Sequence, residues 1–424
     1  MPTDYKVYPQ MLKTIESIQK SMKRSTFQSL GDDDKRNLYA SVFGARYAAN
    51  AERNKKSTLK GTVTVQEFEQ KRNALIQCPT FQTFINRTVE NDPDGMKRLL
   101  TQGHGGAAED AFKSFVMEYD RLPSDVPERY MPTAEKRIEQ QQKKLEGIDP
   151  KSDQALRIYA EIFRCRRAVG AVRKKGSTLE VPINGKKYAD TEDLAANEVF
   201  SGFVKQYGGA LRTEALAGHG GAAEDLFRNH LLTQDHIPAG APADYMPTAI
   251  DRLDTLKARI KSGGTKEEQR LRLTEIMATR EAVNAVRGDA KSLSPQIGPE
   301  ELETAYQKWS KCETFQSFLQ QKPAEAYEAA TAGHGGKLKD VFTEYVLHLD
   351  HIPADVPQDC MPNADKRLEA LKEKYQSADY TGKTEEEKLA LAAELMATRE
   401  VVQAVRGKKD SLEKPVDPAK LNEA

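Results

Sequence analysis

Gly103-His104-Gly105-Gly106-Ala107-Ala108-Glu109-Asp110-Ala111-Phe112 decides how this chain is read. It returns as Gly218-His219-Gly220-Gly221-Ala222-Ala223-Glu224-Asp225-Leu226-Phe227 and again as Gly333-His334-Gly335-Gly336-Lys337-Leu338-Lys339-Asp340-Val341-Phe342. The three histidines are spaced at intervals of 115 residues. Beyond each string stands an aspartate, Asp120, Asp235 or Asp350, and then Met131-Pro132-Thr133-Ala134, Met246-Pro247-Thr248-Ala249 or Met361-Pro362-Asn363-Ala364. Recurrence of this kind within one chain marks a structural unit used more than once.

Working outward, Pro132, Pro247 and Pro362 are expected in the first turn of a helix, where a fixed φ is helpful and a missing N–H costs nothing. An amphipathic stripe follows each, through Ala134, Ile138 and Leu145, through Ala249, Leu253, Leu256 and Ile260, and through Ala364, Leu368 and Leu371. A second helix, LTEIMATREAVNAVRG at 273–288, has copies in YAEIFRCRRAVGAVRK and AAELMATREVVQAVRG, and a fourth near the N-terminus in YASVFGARYAANAERN, with Pro9 ahead of it. Between this helix and each glycine string, Phe81 and Phe84, Phe200 and Phe203, and Phe315 and Phe318 mark a further apolar turn, and Thr64 with Glu67 forms a capping box. The helix after the string carries Ala111, Phe112, Phe115, Val116 and Tyr119 in its first copy and Val341, Phe342, Tyr345 and Val346 in its last.

The pattern predicts an all-α helical repeat array of three and a half units of about 115 residues, stacked so that each glycine segment is bracketed by two of the helix pairs. The boundaries read from it are an N-terminal half-unit at 1–60, repeat units at 61–175, 176–290 and 291–409, and a charged, apolar-poor tail at 410–424 expected to be disordered.

Four arginine pairs recur on the second helix: Arg46 and Arg53, Arg166 and Arg173, Arg280 and Arg287, Arg399 and Arg406. Ile276, Arg280, Val283 and Arg287 fall on one helical stripe, so the guanidinium groups emerge among apolar residues and need carboxylates. The recurrent acids are Asp110, Asp225 and Asp340, then Asp120, Asp235 and Asp350, with Glu161, Glu275 and Glu394 on the arginine helix itself. Arg280 is expected to pair with Asp235 or Asp225. Arg137, Arg252 and Arg367 recur on the proline-led helix as well.

His104, Gly105, Gly106, His219, Gly220, Gly221, His334, Gly335 and Gly336 are the candidate ligand-binding residues, since glycines leading into a helix expose backbone N–H groups to an anion. The competing reading is a tight turn between two helices, with the histidine locking it by a hydrogen bond; that reading is preferred, and no lysine-serine pair follows as a phosphate loop would require. His219, Asp235 and His236, or His334, His348, Asp350 and His351, suggest a metal cluster only until the first copy is examined. It has Arg121 where the others have His236 and His351, so no metal site is expected.

Lysine and arginine together number 64, as do aspartate and glutamate, which argues against a nucleic-acid partner held by a basic footprint. Hydrophobic residues make up 38% and charged residues 30%, a balance typical of helical proteins with thin cores. No apolar run has the length of a signal peptide core or a membrane span. Cys78, Cys165, Cys312 and Cys360 lack metal-ligand spacing and read as free thiols. No nucleophile elbow or zinc helix is present, so neither a catalytic residue nor a cofactor is expected. The expectation is a non-enzymatic cytoplasmic scaffold that binds a protein partner, with homo-oligomerisation open. The alternative is an anion- or phospholigand-binding module using the glycine-histidine turns and the arginines.

Overall fold

The computed structural model describes residues 7–8, 10–53, 55–171, 178–284, 290–377 and 382–424. Pro9, Arg173 and Arg287 lie outside them. Among the described residues the fold is helical apart from a short antiparallel pairing of β1 (Val7–Tyr8) with β2 (Val63–Thr64) and three isolated bridges. It divides into two compact bodies, one formed by Met1–Ala196 with Ser201–Leu226, the other by Asn197–Phe200 with Phe227–Ala424.

The first body begins with α1 (Met11–Met22) packed on α2 (Asp32–Ala48), the first of the arginine helices. Then come α3 (Val65–Ile76), α4 (Pro79–Asn91), α5 (Gly95–Thr101) and α6 (Gly106–Glu118), which starts at the first glycine string. The proline-led helix α7 (Ala134–Lys144) packs on the second arginine helix α8 (Asp153–Ala168), and α9 (Gly185–Asp190) follows. Next in the chain, α10 (Glu198–Leu216) and α11 (Gly221–Thr233) contribute residues to both bodies. The second body continues with α12 (Ala249–Lys261) on α13 (Lys266–Ala282), then α14 (Pro299–Lys311), α15 (Glu313–Gln321), α16 (Pro323–Thr331) and α17 (Gly336–Leu347). It ends with α18 (Ala364–Gln376) on α19 (Glu385–Val401), and α20 (Pro418–Glu423).

Local chemistry explains the helix boundaries. Thr64 and Glu67 form the expected capping box, and Thr265 with Glu268 and Thr384 with Glu387 form two more, opening α13 and α19. The prolines stand two places before the first helical residue rather than in the first turn. Helices α7 and α12 begin at Ala134 and Ala249, with Thr133 and Thr248 as N-caps whose hydroxyls accept from Lys136 and Asp251 N–H, so Pro132 and Pro247 lie just outside.

Those prolines instead serve a return of the chain. Ile183, Ile297 and Val416 donate their N–H to the carbonyls of Pro132, Pro247 and Pro362 at 2.9, 3.0 and 3.1 Å. This corrects the expectation of a disordered tail at 410–424. Val416 and Leu421 are buried and residues 418–423 are helical, because two apolar side chains in a polar stretch are enough when the backbone is already pinned to the start of α18.

The cores are aromatic. Phe43 meets Phe81 with ring centroids 4.9 Å apart, and Phe81 meets Phe112 at 5.2 Å, both edge to face. In the second body Trp309, Phe315, Phe318 and Phe342 form the matching cluster, with Phe315 and Phe342 at 5.1 Å. Each buried ring of this kind contributes about 2–3 kcal/mol by removal from water. Among the described residues, no helix is long and apolar enough to cross a membrane.

Candidate functional site

The second glycine of each string sits in the left-handed region, with φ of 86° at Gly105, 76° at Gly220 and 75° at Gly335. There is no space for a side chain either. A Cβ on Gly105 would come within 2.6 Å of Val42 Cγ1, one on Gly220 within 2.5 Å of Ile162 Cγ2, and one on Gly335 within 2.5 Å of Ile276 Cγ2. Glycine is thus required twice over, by backbone conformation and by the approach of a helix. The last glycine lies under the guanidinium: Gly106 under Arg46 and Gly221 under Arg166, whose Nη2 atoms stand 3.4 and 3.1 Å from where a Cβ would be. Gly336 opens α17.

The turns are seated on arginines. Arg46 donates from Nη1 to the carbonyls of Gly103 and His104, Arg166 to that of His219 at 2.9 Å, and Arg280 to that of His334 at 2.9 Å. A guanidinium facing carbonyl oxygens satisfies acceptors that the abrupt turn leaves without helical partners.

The acids that complete these seats differ from those expected. Arg46 Nε pairs with Glu109 at 2.7 Å and Arg166 Nε with Glu224 at 2.8 Å, all four side chains being buried or nearly so. The neighbouring Asp110 points outward to Arg53, 2.8 Å away at an exposed position. One step along a helix turns a side chain by about 100°, so of two adjacent acids only one can face the arginine helix. Asp225 and Asp340 hold the place of Asp110 on α11 and α17, each one residue past the first turn.

The later aspartates do not reach the predicted arginines. Asp235 is held by Arg272 at 2.6 Å and Arg259 at 3.0 Å rather than by Arg280, and Asp350 by Lys374 and Lys383. Asp120 is fully exposed, 3.7 Å from Lys144. Arg399 and Arg406 are exposed too, and among the described residues no glycine turn is seated on α19.

Glu109 recurs as Glu224 but becomes Lys339 in the third copy, which is why recurrence passed it over. The substitution is compensated. Glu109 also pairs with Arg129 at 3.1 Å, whereas Lys339 pairs with Asp359, which stands at Arg129's place in its own copy; the charges are exchanged and the contact is kept.

A second set of arginines forms the deepest polar contacts. Arg137, Arg252 and Arg367 are wholly buried and reach the carbonyl end of the preceding glycine-led helix: Tyr119 and Asp120 at 2.9 and 2.7 Å, Leu232 and Gln234 at 2.7 and 2.6 Å, Leu347 and Leu349 at 2.6 Å each. Each also pairs with the glutamate of the following arginine helix, Glu161 at 2.7 Å, Glu275 at 2.8 Å and Glu394 at 2.9 Å. One guanidinium therefore ties three helices together, placing positive charge where the helix dipole is negative.

The other oxygen of the glutamate explains the histidines of Asp-His-Ile-Pro. His236 and His351 hydrogen-bond Glu275 and Glu394 through Nδ1 at 2.8 Å, and where Arg121 stands in the first copy, Tyr188 of α9 donates to Glu161 instead. Burial pushes the Glu275 carboxyl up, but His236 and the Arg252 charge hold it below the usual carboxylate range.

A third contact also varies in concert. Asp125 accepts from the N–H and hydroxyl of Thr80 at 2.8 and 2.7 Å and from the Cys78 thiol, and Asp355 does the same for Thr314 at 2.9 and 2.5 Å. In the middle copy Gly240 replaces the aspartate and Asn197 the cysteine. Asn197 caps Phe200 N–H with its own amide oxygen and donates to Gly240 O at 2.9 Å. All four cysteines are free and buried, and burial pushes Cys78, Cys312 and Cys360 up to about 12, which leaves them as unreactive thiols at neutral pH.

The histidines of the strings each face a carboxylate of the helix beside them. His104 is 3.8 Å from Glu16, His219 3.6 Å from Glu135 and His334 3.8 Å from Asp254. No family model, no curated protein and no solved structure matches the chain.

Proposed function

We propose that the chain is a non-enzymatic interaction protein, an array of three and a half stacked units of about 115 residues with one arginine helix left open for a partner. The observation that carries this reading is the state of α19. At the place where Phe43 and Phe163 are wholly buried and Met277 is 3% exposed, α19 presents Met396 at 70%. Leu389 and Val405 are also largely exposed, and Arg399 occupies the place of the arginines that seat glycine turns elsewhere. An apolar row next to an unburied guanidinium fits a partner segment that starts a helix after a glycine turn and carries an acid where Glu109 and Glu224 stand. A cytoplasmic setting and self-association belong to this proposal as well.

Proteins cross-linked to the full chain in extract of its native cell should be lost from Met396→Asp and Arg399→Glu variants whose melting temperature is unchanged. A partner set indifferent to both substitutions overturns the reading. The alternative, an anion-binding module, has less support, because the guanidinium groups of Arg46 and Arg166 already face turn carbonyls and a glutamate.

A further inference from the structure

The three glycine strings differ in what surrounds their histidines. His219 has two carboxylates before it, Glu135 and Glu139, and one ligand atom from each of the three residues lies within 4.8 Å of the others. Glu135 and Glu139 are four residues apart on α7 and so share a face of that helix. His104 and His334 have single carboxylates, Glu16 and Asp254, at the place equivalent to Glu139. At the place of Glu135 those copies carry Leu12 and Ile250, which ligate nothing. The middle copy alone gathers one imidazole nitrogen and two carboxylates.

We propose that Glu135, Glu139 and His219 form a binding site for a divalent transition-metal ion of the zinc type. His219 Nε2 and Glu135 Oε1 are 3.6 Å apart, close to the roughly 3.4 Å edge of a tetrahedron whose metal–ligand bonds are about 2.1 Å. Glu139 is exposed and free to turn the remaining distance. The histidine is held in place before any ion arrives. Gln142 donates to the carbonyls of Ala215 and Gly218, Arg166 holds the carbonyl of His219, and Gly218 and Gly220 on either side have φ of 82° and 76°. Among the described residues, neither Glu135 nor Glu139 forms an ion pair with a lysine or arginine, so their charge is available to a cation. An imidazole with two carboxylates suits zinc and its first-row neighbours better than magnesium, which takes oxygen ligands, and water would complete the shell.

The test is calorimetric titration of the full chain with zinc at pH 7.5, with magnesium as the contrast ion. One zinc per chain is expected, no comparable magnesium binding, and at least a tenfold loss of affinity in both His219→Gln and the doubly substituted Glu135→Gln/Glu139→Gln protein. Both glutamates lie on a solvent-facing surface, so the double variant reports on ligation even where the histidine variant is destabilised, and circular dichroism verifies its fold. His104→Gln and His334→Gln should bind as the unaltered chain does. Zinc binding that persists in the double variant, as binding by cysteines would, overturns the proposal, as does the absence of binding at millimolar zinc.

Discussion

Arg252 and Glu275 form an ion pair 2.8 Å long in which neither side chain reaches solvent. Arg252 donates from Nη1 to the carbonyl end of α11, and Glu275 gives its second oxygen to His236, so the pair is one joint of a larger polar node. Breaking it from one side leaves a charge stranded in the core. Arg252→Met and Glu275→Met are each expected to destabilise the second body by about 3–5 kcal/mol, and the double replacement by less than the sum, measured by denaturant unfolding of the three variants.

The close approach of Gly335 to Ile276 gives a prediction with its own control. Gly333 and Gly335 both have positive φ, 62° and 75°, but a Cβ on Gly333 meets open space whereas one on Gly335 meets Ile276 Cγ2. Gly333→Ala should cost about 1 kcal/mol from backbone strain alone. Gly335→Ala should cost a further ~1–3 kcal/mol from overpacking. Equal melting temperatures for the two variants would show that the turn is not pressed against α13.

The aspartate caps make stability depend on acid. Burial pushes Asp355 up, but the Thr314 hydroxyl and N–H hold it below the ordinary aspartate value of 3.8. A depressed folded value means that the stabilisation is fully present above pH 3.8 and is lost as pH falls through the folded value. Asp355→Ala should therefore lower the melting temperature at pH 7, with the gap to the unaltered chain closing below pH 4. A gap that stays constant down to pH 3 would show that the carboxylate charge plays no part.

Removal of everything after Cys360 takes away Arg367 and with it the donors to Leu347 O and Leu349 O at the end of α17. Trp309, whose indole N–H donates to Glu281 at 2.7 Å and whose ring meets Phe342, reports the same core. Its thermal transition should fall by several degrees or the truncated chain should aggregate; an unchanged transition would show that α17 needs no cover from α18.

Local propensity and periodicity were enough for the helical class, the capping box at Thr64, the apolar turns marked by paired phenylalanines and the places where glycine recurs. It also marked Arg46, Arg166 and Arg280 as residues that face inward. The choice of partner was decided only by tertiary structure. Glu109 and Asp110 are adjacent and equally charged, and which of them meets Arg46 depends on the rotation of α6 against α2, a quantity absent from any pattern of spacing. The exchange of Glu109 and Arg129 for Lys339 and Asp359 was hidden for the same reason, because charge complementarity across 20 residues has meaning only once the two places are known to touch. The ordered stretch at 410–424 depends on a backbone hydrogen bond from Val416 to Pro362, and a hydrogen bond between main-chain atoms leaves no trace in side-chain composition.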